Sequence, residues 1–306
     1  MNKLGSKLLP ISCICCIYKD TILKELILAI DSILIQDYVP NELVIIVDGF
    51  ISKDMRSFLS FILSSGDIFK VFYLEKNVGL GLALNYGIPK CTNKFIARFD
   101  SDDINLKDRL KIQYEFIKKN PQVSIVGSDV FEFNNETKNL ILKRMKNGLK
   151  FPQFFMRNPL NHPTVLFRKE DIIKSGSYKN IKLFEDYELW LRCLKKGLII
   201  RNINQPLVAM KRTSYAYRRQ GFKYAICEFN FLRETIKQKS IGKFLIPIYL
   251  LRICIRLVPV KLLDLFRIID PLRNEYKHSY NLSVYIREIN KNENSIFKKF
   301  NLLNCK

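Results

Sequence analysis

Residues 94–103 read Lys94-Phe95-Ile96-Ala97-Arg98-Phe99-Asp100-Ser101-Asp102-Asp103. A short apolar run of strand length ends here in a cluster of carboxylates. A buried strand with this ending places negative charge at the C-terminal edge of a sheet, where open α/β sheets take their ligands. Carboxylates so close repel one another unless a cation sits among them. Hard oxygen ligands suit Mg²⁺ or Mn²⁺, ions that also bridge phosphates. The stretch therefore points to a metal–diphosphate site. The plainer alternative is that Asp102 or Asp103 only caps the helix that follows.

Outward from this point the chain alternates between two periods. On the N-terminal side, Ile11–Ile17, Leu43–Val47 and Phe69–Leu74 are apolar runs of strand length. Between them Leu23, Leu26, Ile27, Ile30 and Leu34 recur at helical spacing, as do Phe58, Leu59 and Ile62. A short helix follows the glycine-rich entry at Gly79. Strand–helix alternation with continuous apolar strands implies a mostly parallel sheet covered on both faces. Carboxylates then close two strands, at Asp48 and at Asp100. On the C-terminal side the pattern predicts a helix over 108–119 and a strand over 123–133. It also predicts strands over 161–167, 198–203 and 206–210, and a helix from Glu185 closed by Gly197. From Tyr215 onward the chain reads as helical, aliphatic and basic.

Composition narrows the partners. The 306 residues are 48% hydrophobic, enough for a substantial core, and 51 Lys+Arg against 29 Asp+Glu leave a net charge of +22. Such a surface favours polyanions: nucleic acid, anionic lipid or phosphorylated substrates. Tyr215, Tyr217 and Tyr224 lie among lysines and arginines, which would suit nucleic acid. No nucleic-acid motif accompanies them, so nucleic acid is not the expected partner. The eight cysteines show no metal-ligand spacing and read as buried thiols in a reducing compartment. No secretory leader is legible and no window reaches the length of a spanning helix, so a cytoplasmic protein is expected. Ile241, Phe244, Leu245, Ile248, Leu251 and Ile255 form an apolar stripe, with Lys243, Arg252 and Arg256 beside it. That pattern suits a helix lying on an anionic membrane surface.

Taken in order, these segments resemble the family-2 glycosyltransferases of the GT-A fold over roughly residues 8 to 215. Cys16-Ile17-Tyr18-Lys19 stands where the family has a Pro-Val-Tyr-Asn type of loop. Val47-Asp48-Gly49 stands where it has Val-Asp-Asp-Gly. Asn77-Val78-Gly79-Leu80-Gly81-Leu82-Ala83-Leu84-Asn85 is similar to its Asn-x-Gly-x-x-x-Ala-x-Asn segment. Asp100-Ser101-Asp102-Asp103 keeps its DxD signature, and Phe184-Glu185-Asp186-Tyr187 resembles the acidic segment that carries its general base. Asn161-His162-Pro163-Thr164 is similar to the segment before that base. The tail resembles those of bacterial O-antigen and capsule enzymes.

The resemblance implies a Rossmann-like, mostly parallel sheet flanked by helices and followed by a basic helical C-terminal region. It implies a catalytic domain over 1–215, with a nucleotide-binding half (1–105) and an acceptor-binding half (106–215). Residues 216–306 would associate with the membrane. The expected activity is inverting, metal-dependent sugar transfer from a nucleotide-sugar, of the UDP class, to a saccharide on a polyprenyl diphosphate, in lipopolysaccharide or capsule assembly at the inner face of the plasma membrane. Tyr18, Asp48, Asp100, Lys211 and Arg212 would hold the nucleotide-sugar. Asp102 with Asp100 would hold Mn²⁺ or Mg²⁺, supported by Asp103. Asp186 would be the general base, with Glu185 the alternative, although both residues also suit the dipole of a helix N-terminus. His162, Arg218 and Arg219 would meet the acceptor or a phosphate. The competing expectations are a basic nucleic-acid-binding protein and an inactive scaffold with the same fold.

Overall fold

The structure, a computed structural model, describes residues 7–133, 140–143, 158–211, 220–259, 282–292, 295–296 and 298–300. Arg212, Arg218 and Arg219 lie outside the described residues.

The first half is built from the alternation seen in the sequence. Strands β1 (Lys7–Ile17), β2 (Tyr38–Asp48), β3 (Phe69–Leu74) and β4 (Phe95–Arg98) alternate with helices α1 (Leu23–Leu34), α2 (Lys53–Ser64) and α3 (Leu80–Gly87). These four strands are parallel neighbours in the order β3-β2-β1-β4. Every residue from Leu43 to Val47 is buried because helices cover both faces. Strand geometry sends alternate side chains to opposite faces. Cys13, Ile45 and Ala97 thus meet Leu26, Ile30, Phe58 and Ile62 on one side, whereas Ile14, Ile46 and Ile96 meet Ala83, Leu84 and Trp190 on the other. The Ser52 hydroxyl caps α2 by accepting from Met55 N at 3.3 Å.

The second half continues the same sheet with mixed direction. It comprises β5 (Ile104–Asn105), α4 (Arg109–Lys119), β6 (Val123–Phe133), β7 (Leu140–Lys143), β8 (Leu166–Arg168), α5 (Lys169–Lys174), α6 (Glu185–Lys195) and β9 (Ile199–Lys211). The nine strands run β3-β2-β1-β4-β8-β6-β9-β5, and β7 pairs with β6. Strand β8 is antiparallel to both β4 and β6, β9 is parallel to β6, and β5 is antiparallel to β9. This is the GT-A arrangement, an α/β sheet that is parallel where its ligand edge is formed.

Three local expectations differ from what is found. Residues 161–167 are not one strand. His162–Thr164 forms a 3-10 turn opened by Pro163 and closed by the Thr164 hydroxyl, which donates to Asn161 O at 2.8 Å, and only Leu166–Arg168 pairs in the sheet. The two short strands over 198–210 are one strand, β9, whose pairing with β6 shifts register around Asp129. Helix α4 begins at Arg109 behind Asp108 and the strand β5, so neither Asp102 nor Asp103 caps it.

Helices α7 (Phe222–Lys237) and α8 (Ile246–Leu257) form a hairpin against α6, and α9 (Leu282–Lys291) returns to the first half. Leu282, Tyr285 and Ile289 of α9 pack with Ile104, Leu106 and Phe131. Tyr285 donates its hydroxyl to Asn105 O at 3.1 Å. Beyond α9, Ser295 Oγ and Ile296 N donate to the buried Asp31 carboxylate at 2.7 and 2.8 Å, and Phe300 meets Phe58 edge-on. Among the described residues no helix is long and apolar enough to cross a membrane.

Candidate functional site

Register decides which side chains reach the ligand edge. Ile14 of β1 lies opposite Val44 of β2 and Arg98 of β4, so the chain leaves all three strands on one side of the sheet. Tyr18 stands exposed just beyond β1, its backbone N donating to Thr21 Oγ1 at 3.0 Å. Asp48 ends β2, and Asp100, Asp102 and Asp103 follow β4.

Asp48 is buried, and its two carboxylate oxygens accept from the backbone N–H groups of Val78 and Gly79 at 2.7 and 3.0 Å. The Asn77 amide returns a bond to Asp48 O at 3.2 Å. Gly49, at φ +86°, lies so close to this turn that a Cβ would sit 2.6 Å from Asn77 N. The glycine-rich turn therefore fits against β2 through one carboxylate and one missing side chain. Gly81, in the first turn of α3, has a second close approach. A Cβ there would meet Lys179 O at 2.6 Å and Glu185 Cβ at 3.0 Å, so this glycine lets α3 abut the start of α6.

Asp100, Asp102 and Asp103 each turn one carboxylate oxygen into a common cluster, with the three atoms within 4.8 Å of one another. Burial first, then the Asp100 charge, pushes Asp102 up to about 6 and Asp103 well above the usual carboxylate range. Asp103 Oδ1 accepts from Lys211 N at 2.9 Å, while its buried Oδ2 has no hydrogen-bond partner among the described residues. Three oxygens, an orphaned buried lone pair and crowded charge fit a hard divalent cation.

Two cations adjoin the cluster. Arg98 is buried and ion-paired through Nη2 to Asp100, and its Nη1 has no partner among the described residues. Lys211, at the end of β9, is ion-paired through Nζ to Glu25 of α1. Lys211 thus adjoins the aspartate cluster through its backbone N, while its ammonium is already matched with a carboxylate.

The second acidic group opens α6. Asp186 Oδ2 accepts from Asn158 Nδ2 at 2.6 Å and Oδ1 from Tyr187 N at 2.7 Å. Glu185 is pushed up to about 7, chiefly by burial and next by Asp186. Asp100 and Arg98 also act on Glu185, so the two acidic groups lie within electrostatic reach of each other and of the same guanidinium. His162 stands beside it, its Nε2 2.8 Å from the Tyr178 hydroxyl and its ring edge-on to Trp190. Burial and the Arg98 charge hold His162 well below its usual range, so it is a neutral ring near pH 7. Trp190 is core, as its neighbours in the sequence imply.

The loop carrying Tyr178 is fixed from behind. Arg192 pairs with the buried Glu188 at 2.7 Å and donates to Ser175 O and, at 2.7 Å, to Ser177 O. Sequence reasoning singled out none of Arg98, Asn158, Tyr178 and Glu25. An arginine within the apolar run before Asp100 was the one available signal.

A family model described as Glycosyl transferase family 2 matches residues 12–175. The chain is 40% identical over 238 residues to the UDP-Gal:alpha-D-GlcNAc-diphosphoundecaprenol beta-1,3-galactosyltransferase of Escherichia coli, covering 76% of this chain and 85% of that protein. It is 33% identical over 227 residues to the amylovoran biosynthesis glycosyltransferase AmsE of Erwinia amylovora, covering 73% and 85%. It is 32% identical over 230 residues to the O-antigen biosynthesis glycosyltransferase WbnJ of Escherichia coli, covering 74% and 89%.

Proposed function

The chain belongs to glycosyl transferase family 2, and from that premise we propose that it moves a hexosyl group from a UDP-sugar to a saccharide carried on a polyprenyl diphosphate, with inversion at the anomeric carbon. The product would be a repeat-unit intermediate of a surface polysaccharide such as O-antigen or capsule. The 40%-identical relative is named for a UDP-galactose donor and a diphosphoundecaprenol-linked acceptor. The observation that carries the reading is the pair of acidic groups at one sheet edge: Asp100, Asp102 and Asp103 on one side, Glu185 and Asp186 on the other.

In this reading residues 1–105 bind the nucleotide and 106–215 the acceptor. Tyr18, Asp48 and Asp100 line the nucleotide, and Asp48 also holds the Asn77–Gly79 turn in place. Asp102 and Asp100 hold Mn²⁺ or Mg²⁺, and Asp103 ties that loop to the backbone of β9. A cation held there would supply positive charge to offset that of the departing diphosphate. Lys211 adds a positive charge once the diphosphate competes with Glu25 for it. Asp186 takes the proton from the acceptor hydroxyl, whose oxygen bonds to the anomeric carbon as the bond to the diphosphate breaks. Asn158 and the Tyr187 amide aim that carboxylate. Attack opposite the leaving group turns an α-linked donor into a β-linked product. The protein works from the cytoplasm at the inner face of the plasma membrane.

The test is transfer by the purified chain from a panel of UDP-, GDP- and dTDP-sugars to a synthetic alkyl-diphosphate saccharide, with Mn²⁺, Mg²⁺ or EDTA, and product linkage read by NMR. A β-linked product from a UDP-sugar that disappears with EDTA is expected. No transfer from any donor in the presence of cation would overturn the proposal.

A further inference from the structure

Helices α7 and α8 divide their side chains sharply between two faces. Inward, Tyr224, Phe231 and Leu232 of α7 and Tyr249 of α8 pack against Phe184, Tyr187 and Leu191. Glu228, fully buried, binds both arginines of α8, Arg252 and Arg256, each at 2.7 Å. Arg252 lies over the Tyr249 ring and Arg256 over the Tyr224 ring. The arginines that the helical pattern sets beside an apolar stripe are therefore matched inside the protein and do not serve as the lipid-facing charges.

Outward, the hairpin is apolar. Phe222 (72% exposed), Ile226, Phe229 (50%) and Ile236 recur along one stripe of α7. Phe244 (63%) precedes α8, and Leu250, Leu251 (61%), Ile255 and Leu257 line its outer side. Phenylalanines and leucines so exposed on both helices of a hairpin mark an interaction surface. Lys223, Arg233, Lys237 and Lys243 are exposed beside it and form no ion pair with the described residues.

We propose that this outer face of the α7–α8 hairpin seats the enzyme in an anionic lipid bilayer, with Phe222, Phe229, Phe244 and Leu251 entering the boundary between headgroups and acyl chains. Charge complementarity selects the occupant. Of the seven lysines and arginines in residues 220–259, Arg252 and Arg256 are spent on Glu228, which leaves five, Lys223, Arg233, Lys237, Lys239 and Lys243, against two glutamates. Glu228 is consumed internally and Glu234 faces Lys179 at 3.5 Å. A second copy of this chain would set one cationic face against another, whereas an anionic bilayer accepts both the apolar stripe and the lysine rim. The surface is also rigidly joined to the catalytic edge. Phe184 and Tyr187, which flank Glu185 and Asp186, both stack on Phe231 of α7 at 5.0 Å. Docking the hairpin thus sets the catalytic carboxylates at a constant height above the lipid. The proposal rests on the reading that the acceptor is lipid-linked, and it names the surface that meets the acceptor's membrane.

The experiment is co-sedimentation of the full chain with phosphatidylcholine vesicles and with phosphatidylcholine–phosphatidylglycerol vesicles, at low salt and at about 1 M salt, where the screening length falls to roughly 3 Å. Wild type is compared with the triple variant Phe222→Ser/Phe229→Ser/Leu251→Ser, which alters only exposed side chains. Its fold is checked by thermal melting and by transfer to a water-soluble short-chain acceptor. The expected result is binding to the mixed vesicles that weakens but survives in high salt, and a loss of at least about tenfold in partition for the variant. Its turnover on the soluble acceptor should stay at wild-type level. Equal partition of variant and wild type, loss of all binding in high salt, or a dimer in lipid-free sedimentation that the variant dissociates would each overturn the proposal. Intact vesicle binding without transfer to any lipid-diphosphate acceptor would support the surface and refute the reaction.

Discussion

Replacing Asp186 by asparagine removes one negative charge while keeping the side chain's shape. The carbonyl oxygen of the substituted side chain can still accept from Tyr187 N, but its amide now faces the Asn158 amide across the former 2.6 Å bond. One strained or lost hydrogen bond costs about 1 kcal/mol of stability, too little to unfold the domain. Losing the proton acceptor costs about 10²–10⁴-fold in kcat/KM, which at about 1.4 kcal/mol per decade is roughly 3–5 kcal/mol. Donor affinity, measured by calorimetry with the UDP-sugar and Mn²⁺, should stay within about twofold, because Asp186 is not one of the clustered aspartates. Transfer of radiolabelled sugar gives kcat/KM, and its pH profile provides a second readout. Glu185 sits up at about 7, and Asp186 is one of the charges that raises it. In the variant Glu185 must therefore ionise at lower pH. If Glu185 supplies the residual base function, the acid limb of the residual activity shifts downward from that of wild type. Wild-type kcat/KM in Asp186→Asn would refute the assignment and transfer the base role to Glu185.

Three further outcomes follow from the same geometry. Asp102→Ala should abolish transfer and the Mn²⁺-dependent part of donor binding without lowering the melting temperature, and wild-type donor affinity would defeat the metal assignment. Burial raises Asp102 from 3.8 to about 6 and Glu185 from 4.5 to about 7, and raises Asp103 as well. A raised folded-state pKa contributes stability fully below the unfolded pKa, near pH 4, and loses it as pH climbs through about 6 to 7. Divalent cation would replace the protons of Asp102 and Asp103 but not that of Glu185, so thermal shifts should show Mn²⁺ stabilising the chain more at pH 8 than at pH 5, and a pH-independent shift would count against the site. Glu228→Gln leaves Arg252 and Arg256 facing a neutral group, and urea unfolding should record a loss of about 3–5 kcal/mol. The value should fall near the lower bound, because the two arginines keep 18% and 22% of their surface exposed; a loss under about 1 kcal/mol would show the pairs to be dispensable.

The parallel core and its acidic edge were legible because both are local signals. Leu43–Val47 and Lys94–Phe99 are uninterrupted apolar runs, and a carboxylate just after such a run can only stand at a strand end. The turn at 162–164 was not legible as a turn. Asn161–Phe167 carries strand-like residues, and the Thr164 hydroxyl that closes a 3-10 turn on Asn161 O competes with sheet pairing in a way composition does not reveal. Arg98 shows the next limit. Its identity is visible within a strand, but its meaning depends on Asp100 beside it and on His162, Tyr178 and Glu185, which are brought near only by the sheet.

Arg252 and Arg256 show a different limit, and a more general one. The sequence pattern sets Ile241, Phe244, Leu245, Ile248, Leu251 and Ile255 in one stripe, but the structure splits it: Ile241 and Leu245 are buried with Tyr249, whereas Phe244, Leu251 and Ile255 stay exposed. Periodicity does not say which side turns inward. By hydropathy alone the arginines would face water and the leucines the core. Glu228 reverses that choice. A carboxylate with no exposed surface needs a cation, and the two arginines are the groups that supply it. Once they turn inward, Leu251 and Ile255 must turn out. A single buried charge on α7 thereby sets the orientation of α8 and leaves the hairpin's apolar side exposed.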